Sequence, residues 1–426
     1  MSDMRLIETT ESALAAWPSG ALCVALSGGL DSTVMLHVLA SSATARARGL
    51  RAIHVDHGIH PESARWAAHC AAFAAALDVL PLSVRVDVLR GDGTGLEAAA
   101  RRARYAAFEA ALGDNEILVT AHHADDQAET VLLRLLRASG VAGLGAMQPW
   151  RAFGRGALAR PWLAVPRDAI RTYAEAHALT WIDDPSNASD AHDRNYVRRH
   201  VMPQLRARWP HAAEAFVRSA SLLRDAAATI DADTRIALAQ AQGLDPATLR
   251  IDALRALAPY RRAELLRAWI ASLALPAPTA QAIDALAALL DAREDANPIV
   301  AWPGAELRRY RDMVYAMAPF APIDATWTTT WDGRQPLELP HALGKLVLDG
   351  NATTPLRVTF RQGGETIALA PSRPRRAVKD LLQDLGIPPW QRDRIPLVHD
   401  TEGLVAIADL VIAERFGARI RRLVDS

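Results

Sequence analysis

Between about residue 20 and residue 150 the chain alternates short apolar runs with helix-patterned segments, and this alternation constrains its fold more than any other feature. The order is ALCVALS, DSTVMLHVLA, LRAIHVDHG, SARWAAHCAAFAAAL, LSVRVDVL, a long alanine-rich helix, then EILVTAHH. Strand–helix repetition of this kind predicts an α/β fold, a doubly wound and mostly parallel sheet with helices on both faces. Ligands of such sheets bind beyond the carboxyl ends of the strands. Three clusters of reactive residues fall there: Ser27 to Ser32, His54 to Gly58, and His122 to Glu129.

At 426 residues the chain is long enough for two or three domains. The sheet pattern extends through RPWLAVPRDAIRTYAEAHALTWIDDPSN and an arginine-rich stretch, giving a first domain over 1–215. Ala/Leu/Arg patterning over 216–320 predicts a small helical domain. A Pro/Thr/Trp-rich segment at 321–334 reads as a linker or edge strand, and strand-like segments around one helix predict an α+β domain over 335–426. Basic and acidic side chains balance, 48 against 48, so net charge names no partner. Cys23 and Cys70 are too few for a disulfide framework, a four-thiolate zinc site or an iron–sulfur cluster, and read as small buried hydrophobes. An acidic N-terminus without a long apolar core, and no apolar run near the roughly 20 residues of a membrane span, predict a cytoplasmic protein with no membrane partner.

The sequence ALSGGLDSTVMLHVLA, residues 25–40, carries the first cluster. A strand, then Ser27, Gly28, Gly29, Leu30, Asp31 and Ser32, then a helix start, gathers backbone amides and a helix N-terminus at one point, which favours an anion. Ser27, Ser32 and Thr33 add hydroxyls. Asp31 would repel a phosphate unless a cation stands between them, which implies Mg2+. A Walker A loop requires a lysine, and none precedes Lys345; a dinucleotide fingerprint requires a third glycine, and none lies between Gly29 and Gly49.

The Ser-Gly-Gly-x-Asp-Ser pattern resembles the pyrophosphate loop of the ATP-pyrophosphatase superfamily, whose members cleave ATP between its α and β phosphates and adenylate a substrate. Further segments narrow the resemblance. IHVDHGIHPES from Ile53, GLEAAARRARYAAF from Gly95, AHHADDQAETVLLRLLRASG from Ala121, RPWL from Arg160, DPSNASDAHDRNYVRRHVMPQL from Asp184, FRQGGETI and RRAVKDLLQDLGIPPWQRDRIPLV together resemble the tRNA(Ile)-lysidine synthetase family. Other branches of the superfamily, such as tRNA thiolases or GMP and asparagine synthetases, fit less well, because the chain has no Cys-x-x-Cys and no N-terminal cysteine nucleophile. An inactive RNA-binding scaffold would have no reason to retain Ser27, Asp31 and Ser32 together.

The resemblance implies an adenine-nucleotide α-hydrolase-like sheet and a ligase that forms a carbon–nitrogen bond. ATP with Mg2+ activates the wobble cytidine of a tRNA(Ile) bearing a CAU anticodon, and free L-lysine displaces AMP to give lysidine. It implies that Ser27 to Ser32 hold the leaving pyrophosphate, that Asp31 orients Mg2+, and that Arg194 counters charge on the adenylate. Asp125, Asp126 and Glu129 could complement the dipole of the helix they open, hold a cation, or bind the lysine amine; helical spacing puts Asp125 and Glu129 on one face and Asp126 away from it. His54, His57 and His60 read as ordinary strand-end and loop histidines, lacking the spacing of a zinc site. Arg101 and Arg104 at helical spacing, Arg198 in a basic run, and Arg361, Arg375 and Arg376 in the terminal domain are the expected tRNA contacts. Oligomeric state is open, a homodimer being one expectation.

Overall fold

The computed structural model describes residues 2–88, 96–185, 190, 192–293, 296–350 and 354–423. The chain divides into two compact units, 1–232 and 233–426.

In the first unit, β1 (Leu22–Ala25), β2 (Leu50–Asp56), β3 (Leu80–Arg85), β4 (Ile117–Val119), β5 (Trp150–Phe153) and β6 (Gly156–Ala159) form one sheet in the order β3-β2-β1-β4-β6-β5. All pairings are parallel except β5 with β6. The helices are α1 (Ser2–Ala16), α2 (Leu30–Ser41), α3 (Ala43–Arg48), α4 (Ser63–Ala76), α5 (Leu96–Ala111), α6 (Ala124–Leu136), α7 (Val141–Leu144) and α8 (Arg167–Ala176). They are followed by α9 (Asp193–Tyr196), a π-helical turn at Val197–Val201, α10 (Met202–Arg208) and α11 (Ala212–Ala241). The expected doubly wound sheet is present.

Central β1 shows why its sequence is a run of apolar residues rather than an alternation. Leu22 and Val24 face a core shared with α1, α2 and α8, whereas Cys23 faces a second core with Phe108, Leu112, Leu118 and Leu158. Both faces are dry, as parallel strands between two helix layers require. Trp162 is fully buried in the first core, where its indole N–H donates to Thr10 Oγ1 at 2.9 Å. Both cysteines are buried free thiols, pushed up to about 12 by burial, which fits the small-hydrophobe reading.

Topology places the site. From β1 the chain winds outward through β2 and β3, then returns to lay β4 on the other side of β1. Order reverses between β1 and β4, and the crevice at their carboxyl ends is where such a sheet binds ligands.

The segment expected to be helical between 216 and 320 also contains a sheet. Helices α12 (Ile251–Arg255), α13 (Pro259–Ser272) and α14 (Ala280–Asp291) pack on antiparallel strands β7 (Thr248–Arg250), β8 (Ile299–Trp302), β9 (Ala305–Tyr310) and β10 (Met313–Met317), ordered β7-β10-β9-β8. In β10 burial alternates residue by residue, a period of two that an Ala/Leu/Arg composition conceals. Trp302 pairs with Ala305 across a two-residue Pro303-Gly304 turn, the hairpin signal in this stretch.

Farther on, β11 (Thr328–Trp331), β12 (Leu337–Glu338), β13 (Lys345–Asp349), β14 (Leu356–Thr359), β15 (Thr366–Ile367), β16 (Arg376–Ala377), β17 (Leu397–Asp400), β18 (Gly403–Ile407), β19 (Val411–Ile412) and β20 (Arg419–Leu423) surround α15 (Val378–Asp384) and α16 (Pro389–Arg392). Their sheets run β11-β14-β17-β18-β19 and β12-β13-β20, with β15 and β16 as a separate pair, so this part is α+β as expected. β11 lies at a sheet edge inside the Pro/Thr/Trp-rich segment.

Candidate active site

The loop after β1 is built around one glycine. Gly28 has φ +85°, and a Cβ there would stand 2.8 Å from Ile182 Cδ1 and 2.9 Å from Cys70 Sγ, so both backbone conformation and space require glycine. Its carbonyl accepts from Ile182 N at 2.8 Å and from Thr33 Oγ1 at 3.3 Å. Ser27 N donates to Ser32 Oγ at 3.1 Å, the two serine oxygens lie 3.0 Å apart, and Ser32 Oγ donates to Gly29 O at 3.1 Å. The serine hydroxyls, expected to face a phosphate, brace the loop from within. What the loop presents is the amide row at the start of α2, which has no helical acceptor. Leu30, expected in the same site, buries its side chain in the core.

The second cluster opens α6 at the carboxyl end of β4. His123 is its N-cap and is buried, and Asp126 Oδ2 accepts from His123 N at 3.1 Å. His123 Nε2 stands 3.7 Å from Asp31 Oδ2 and 3.4 Å from Asp126 Oδ2, joining the glycine loop to the acid cluster. Asp125 Oδ2 accepts from Arg167 N at 3.1 Å, and its other oxygen pairs with Arg206. Asp126 Oδ1 accepts from Arg194 at 2.8 Å and Arg198 at 3.0 Å. Glu129 accepts from Arg194 Nε at 2.8 Å and Arg198 Nε at 2.6 Å.

These contacts correct one expectation. Asp126, not Asp125, shares its partners with Glu129. Residues three apart also share a helix face, and the bond to His123 N turns the Asp126 carboxylate back along the helix, leaving its second oxygen beside the arginines of Glu129. Arg198, expected on a tRNA-facing surface, is held by the same two carboxylates.

Burial by itself would raise the pKa of Asp126, yet His123, Arg194 and Arg198 hold it far below the usual carboxylate range. Asp31 is likewise opposed by burial and lowered by His123 and Arg167. Desolvation would weaken the charge on Arg194 and Arg198, but Asp126 and Glu129 raise both. Asp31, Asp125, Asp126 and Glu129 therefore face Arg167, Arg194, Arg198 and Arg206 as a charge-balanced network.

Asp31 Oδ1 is buried and accepts no hydrogen bond, with Arg167 Nε 3.6 Å away. A magnesium ion that travels with phosphates takes one or two protein carboxylates. One open carboxylate oxygen at a phosphate loop fits that ion. Among the described residues no three His, Cys, Asp or Glu side chains group to hold a metal without phosphate.

Sequence reasoning missed Arg167, and it singled out the cluster His122 to Glu129 without giving His122 or His123 a role. Arg167 is the first helical residue of α8, where a cation opposes the dipole; an arginine so placed is a signal that acids or phosphates meet it. His122 lies beside the cluster, its Nδ1 2.9 Å from Thr120 Oγ1, and is pushed down to about 3, chiefly by desolvation. An unfolded histidine titrates near 6.5, so between about pH 6.5 and 3 the unfolded chain binds a proton that the folded one refuses. Stability held above pH 6.5 is lost as pH falls through that window. Going from pH 7 to 5 costs about 2 kcal/mol through this residue, and His122→Gln removes that share; urea midpoints of both proteins at the two pH values check it.

The expected RNA contacts are placed unevenly. Arg101 is exposed on α5 with its guanidinium 4.9 Å from the Tyr105 ring centre, and Arg104 donates to His57 Nε2 at 3.1 Å. Arg101 also borders a cavity of about 430 Å3 with Thr130, Arg134, Arg137, His192 and Arg194, adjoining the acid cluster. Arg361 pairs with Asp393 at 3.2 Å and Arg376 with Asp384 at 2.6 Å, while Arg375 donates to Thr366 Oγ1 at 2.9 Å. His54 Nδ1–H donates to Leu26 O at 2.9 Å, and His60 stacks on Trp66, as ordinary loop histidines do.

A phosphate loop at the switch point of this sheet defines a class, and residues 4–205 match the family model of the PP-loop domain. Residues 249–315 match the TilS substrate binding domain and 356–422 the TilS substrate C-terminal domain. Relatives named tRNA(Ile)-lysidine synthase include one from Xanthomonas axonopodis pv. citri, 45% identical over 410 residues, covering 94% of this chain and 92% of that protein. Another from Alkalilimnicola ehrlichii is 44% identical over 420 residues, covering 94% and 92%, and one from Coxiella burnetii is 37% identical over 409 residues, covering 93% and 90%. The chain belongs to the tRNA(Ile)-lysidine synthase family.

Proposed function

We propose that this chain is a cytoplasmic ligase that joins L-lysine to C2 of the wobble cytidine of tRNA(Ile) with a CAU anticodon, consuming ATP and releasing AMP and pyrophosphate. The observation that carries this reading is the meeting of the glycine loop and the acid–arginine cluster at one switch point, linked through His123, in a member of this family. The cytidine C2 oxygen attacks the α-phosphate and pyrophosphate leaves; the lysine ε-amine then attacks C2 and AMP leaves. The amides of Gly28, Gly29 and the first turn of α2 stabilise the departing pyrophosphate, and Arg167 neutralises charge at the same point. Asp31 would hold Mg2+ together with the phosphates, and the ion would supply charge neutralisation there. Asp31→Asn is expected to lower pyrophosphate release about 100-fold and to raise the Mg2+ concentration giving half-maximal rate, read from initial rates across a Mg2+ series.

Lysine arrives protonated, and neutralising its amine at pH 7 costs roughly 4–5 kcal/mol. Asp125, Asp126 and Glu129 are the groups that bind the amine and assist the transfer of its proton. Because each is paired with an arginine, an incoming ammonium meets no net negative charge. Binding requires a guanidinium to yield its carboxylate, and Arg194, also at the edge of the adjoining cavity, is placed to turn toward the adenylate instead. The segment over 216–320, whose helices pack on a four-stranded sheet, and the α+β segment over 335–426 bind the tRNA body. Incubating the protein with ATP, radiolabelled lysine and tRNA(Ile) transcript, then counting acid-insoluble label, tests the reading. Pyrophosphate release without label in RNA would refute lysine transfer and leave the superfamily assignment standing.

A further inference from the structure

A second cavity, of about 520 Å3, lies entirely within the second unit and is bordered by Arg308, Phe320, Arg361, Trp390, Asp393 and Arg394. Its size is that of a small-ligand pocket. Its chemistry is unlike a structural groove. Arg308 is paired with Glu306 at 2.8 Å and Arg361 with Asp393 at 3.2 Å, but among the described residues Arg394 has no carboxylate partner. It donates to Ala321 O at 2.7 Å and stands 4.6 Å from the Phe320 ring centre.

Trp390 is held in place from several sides. Tyr310 and Tyr315 meet it edge to face at 6.2 and 5.3 Å, and the Arg308 guanidinium is 5.4 Å from its ring centre. Behind it, Arg392 donates to Ile387 O at 2.8 Å and to Tyr310 Oη at 3.2 Å, fixing the short helix that carries the indole. The Trp390 N–H is buried without an acceptor, and the Arg361 Nε faces the Glu365 carboxylate at 3.6 Å. The adjoining turn has Gly363 at φ +102° and Gly364 at +82°, and a Cβ on either would meet nothing within 4 Å, so the wall is open there down to the backbone.

A rigid indole with an unfilled N–H, a second aromatic ring and a guanidinium free of carboxylates make a surface for a flat, acceptor-rich, anionic ligand. An unpaired nucleotide has all three properties, and stacking with arginine contact is how single-stranded RNA is held. We propose that this cavity takes one unpaired nucleotide of the substrate tRNA, its base packed against Trp390 and Phe320 and its phosphate on Arg394, an inference that rests on reading the chain as a tRNA-modifying ligase. An acidic peptide would use the guanidinium but not the paired aromatic walls.

The test uses the full chain and unmodified tRNA(Ile) transcript. Arg394→Glu and Trp390→Leu are each expected to raise KM for the transcript 5- to 100-fold, the range for one lost base contact, with KM for ATP within twofold of wild type. Arg394→Lys and Trp390→Phe recover part of that loss. In 2′-hydroxyl acylation maps of the complex, one unpaired nucleotide outside the anticodon loop is protected by wild type and exposed by Arg394→Glu. Should Trp390→Leu fail to fold, Arg394→Glu at the half-buried rim decides alone. A transcript KM within twofold of wild type for Arg394→Glu overturns the proposal, as does a raised KM with no change at any single nucleotide, which would make the face a backbone contact. If wild type adds no lysine to the transcript, the ligase reading fails; if wild type is active and Arg394→Glu binds normally, only this cavity's role fails.

Discussion

Gly28→Ala is expected to cut ATP-dependent pyrophosphate release at least 100-fold and to destabilise the first unit by about 2–5 kcal/mol. Two independent costs converge at this residue. A side chain at φ +85° enters the left-handed region, worth about 1–2 kcal/mol for a residue with a Cβ. The added carbon would also lie under 3 Å from both Ile182 Cδ1 and Cys70 Sγ, and overpacking of this kind costs about 1–3 kcal/mol. Shifts of the Ile182 and Cys70 side chains can relieve part of the contact, but the positive φ is relieved only by moving the loop, which carries the amides away from the pyrophosphate position. Pyrophosphate release measured beside a chemical denaturation curve separates the two effects. A variant as stable and as active as wild type would refute the role given to the loop.

Glu129→Gln is expected to abolish lysine-dependent AMP release, by 100-fold or more, while pyrophosphate release on tRNA and ATP falls far less. The substitution keeps shape and removes only the charge. It leaves Arg194 and Arg198 sharing Asp126, and breaking one side of a buried ionic network costs about 3 kcal/mol. The ratio of the two half-reactions distinguishes lysine binding from general destabilisation, which would lower both alike. Equal loss in both assays would assign Glu129 to the scaffold and move amine binding to Asp125.

The two clusters differ in how legible they were. The glycine loop was readable because its function depends on local backbone: a strand, a turn and a helix start within a few residues determine where the amides point. The acid cluster was readable as residues but not as a geometry. Asp126 was assigned to the wrong side because ideal helical spacing ignores the capping bond that turns its carboxylate. Arg167 and Arg206 come from segments far along the chain, and only the crossover of β6 and the course of the last helices bring them to Asp31 and Asp125. The sheet hidden between 216 and 320 was obscured for a different reason: its strands are short and share the alanine, leucine and arginine of the flanking helices, so composition carried no contrast.

The π-helical turn at Val197–Val201 has a consequence best expressed as an angle. In an uninterrupted α-helix, Arg206 would lie about 120° around the axis from Arg194, on a different face. One extra residue taken up in a wider turn sets everything after it back by about one position, so Arg206 comes to within about 20° of Arg194, with Arg198 about 40° away. Three guanidiniums then point in one direction from a single continuous rod, and the four-against-four charge balance depends on the phase of that rod rather than on any one side chain. Closing that turn into α geometry with every residue kept would rotate Asp125's partner by about 100°, out of the site, whereas deleting one residue between 197 and 201 would restore an α turn and keep Arg206 in phase.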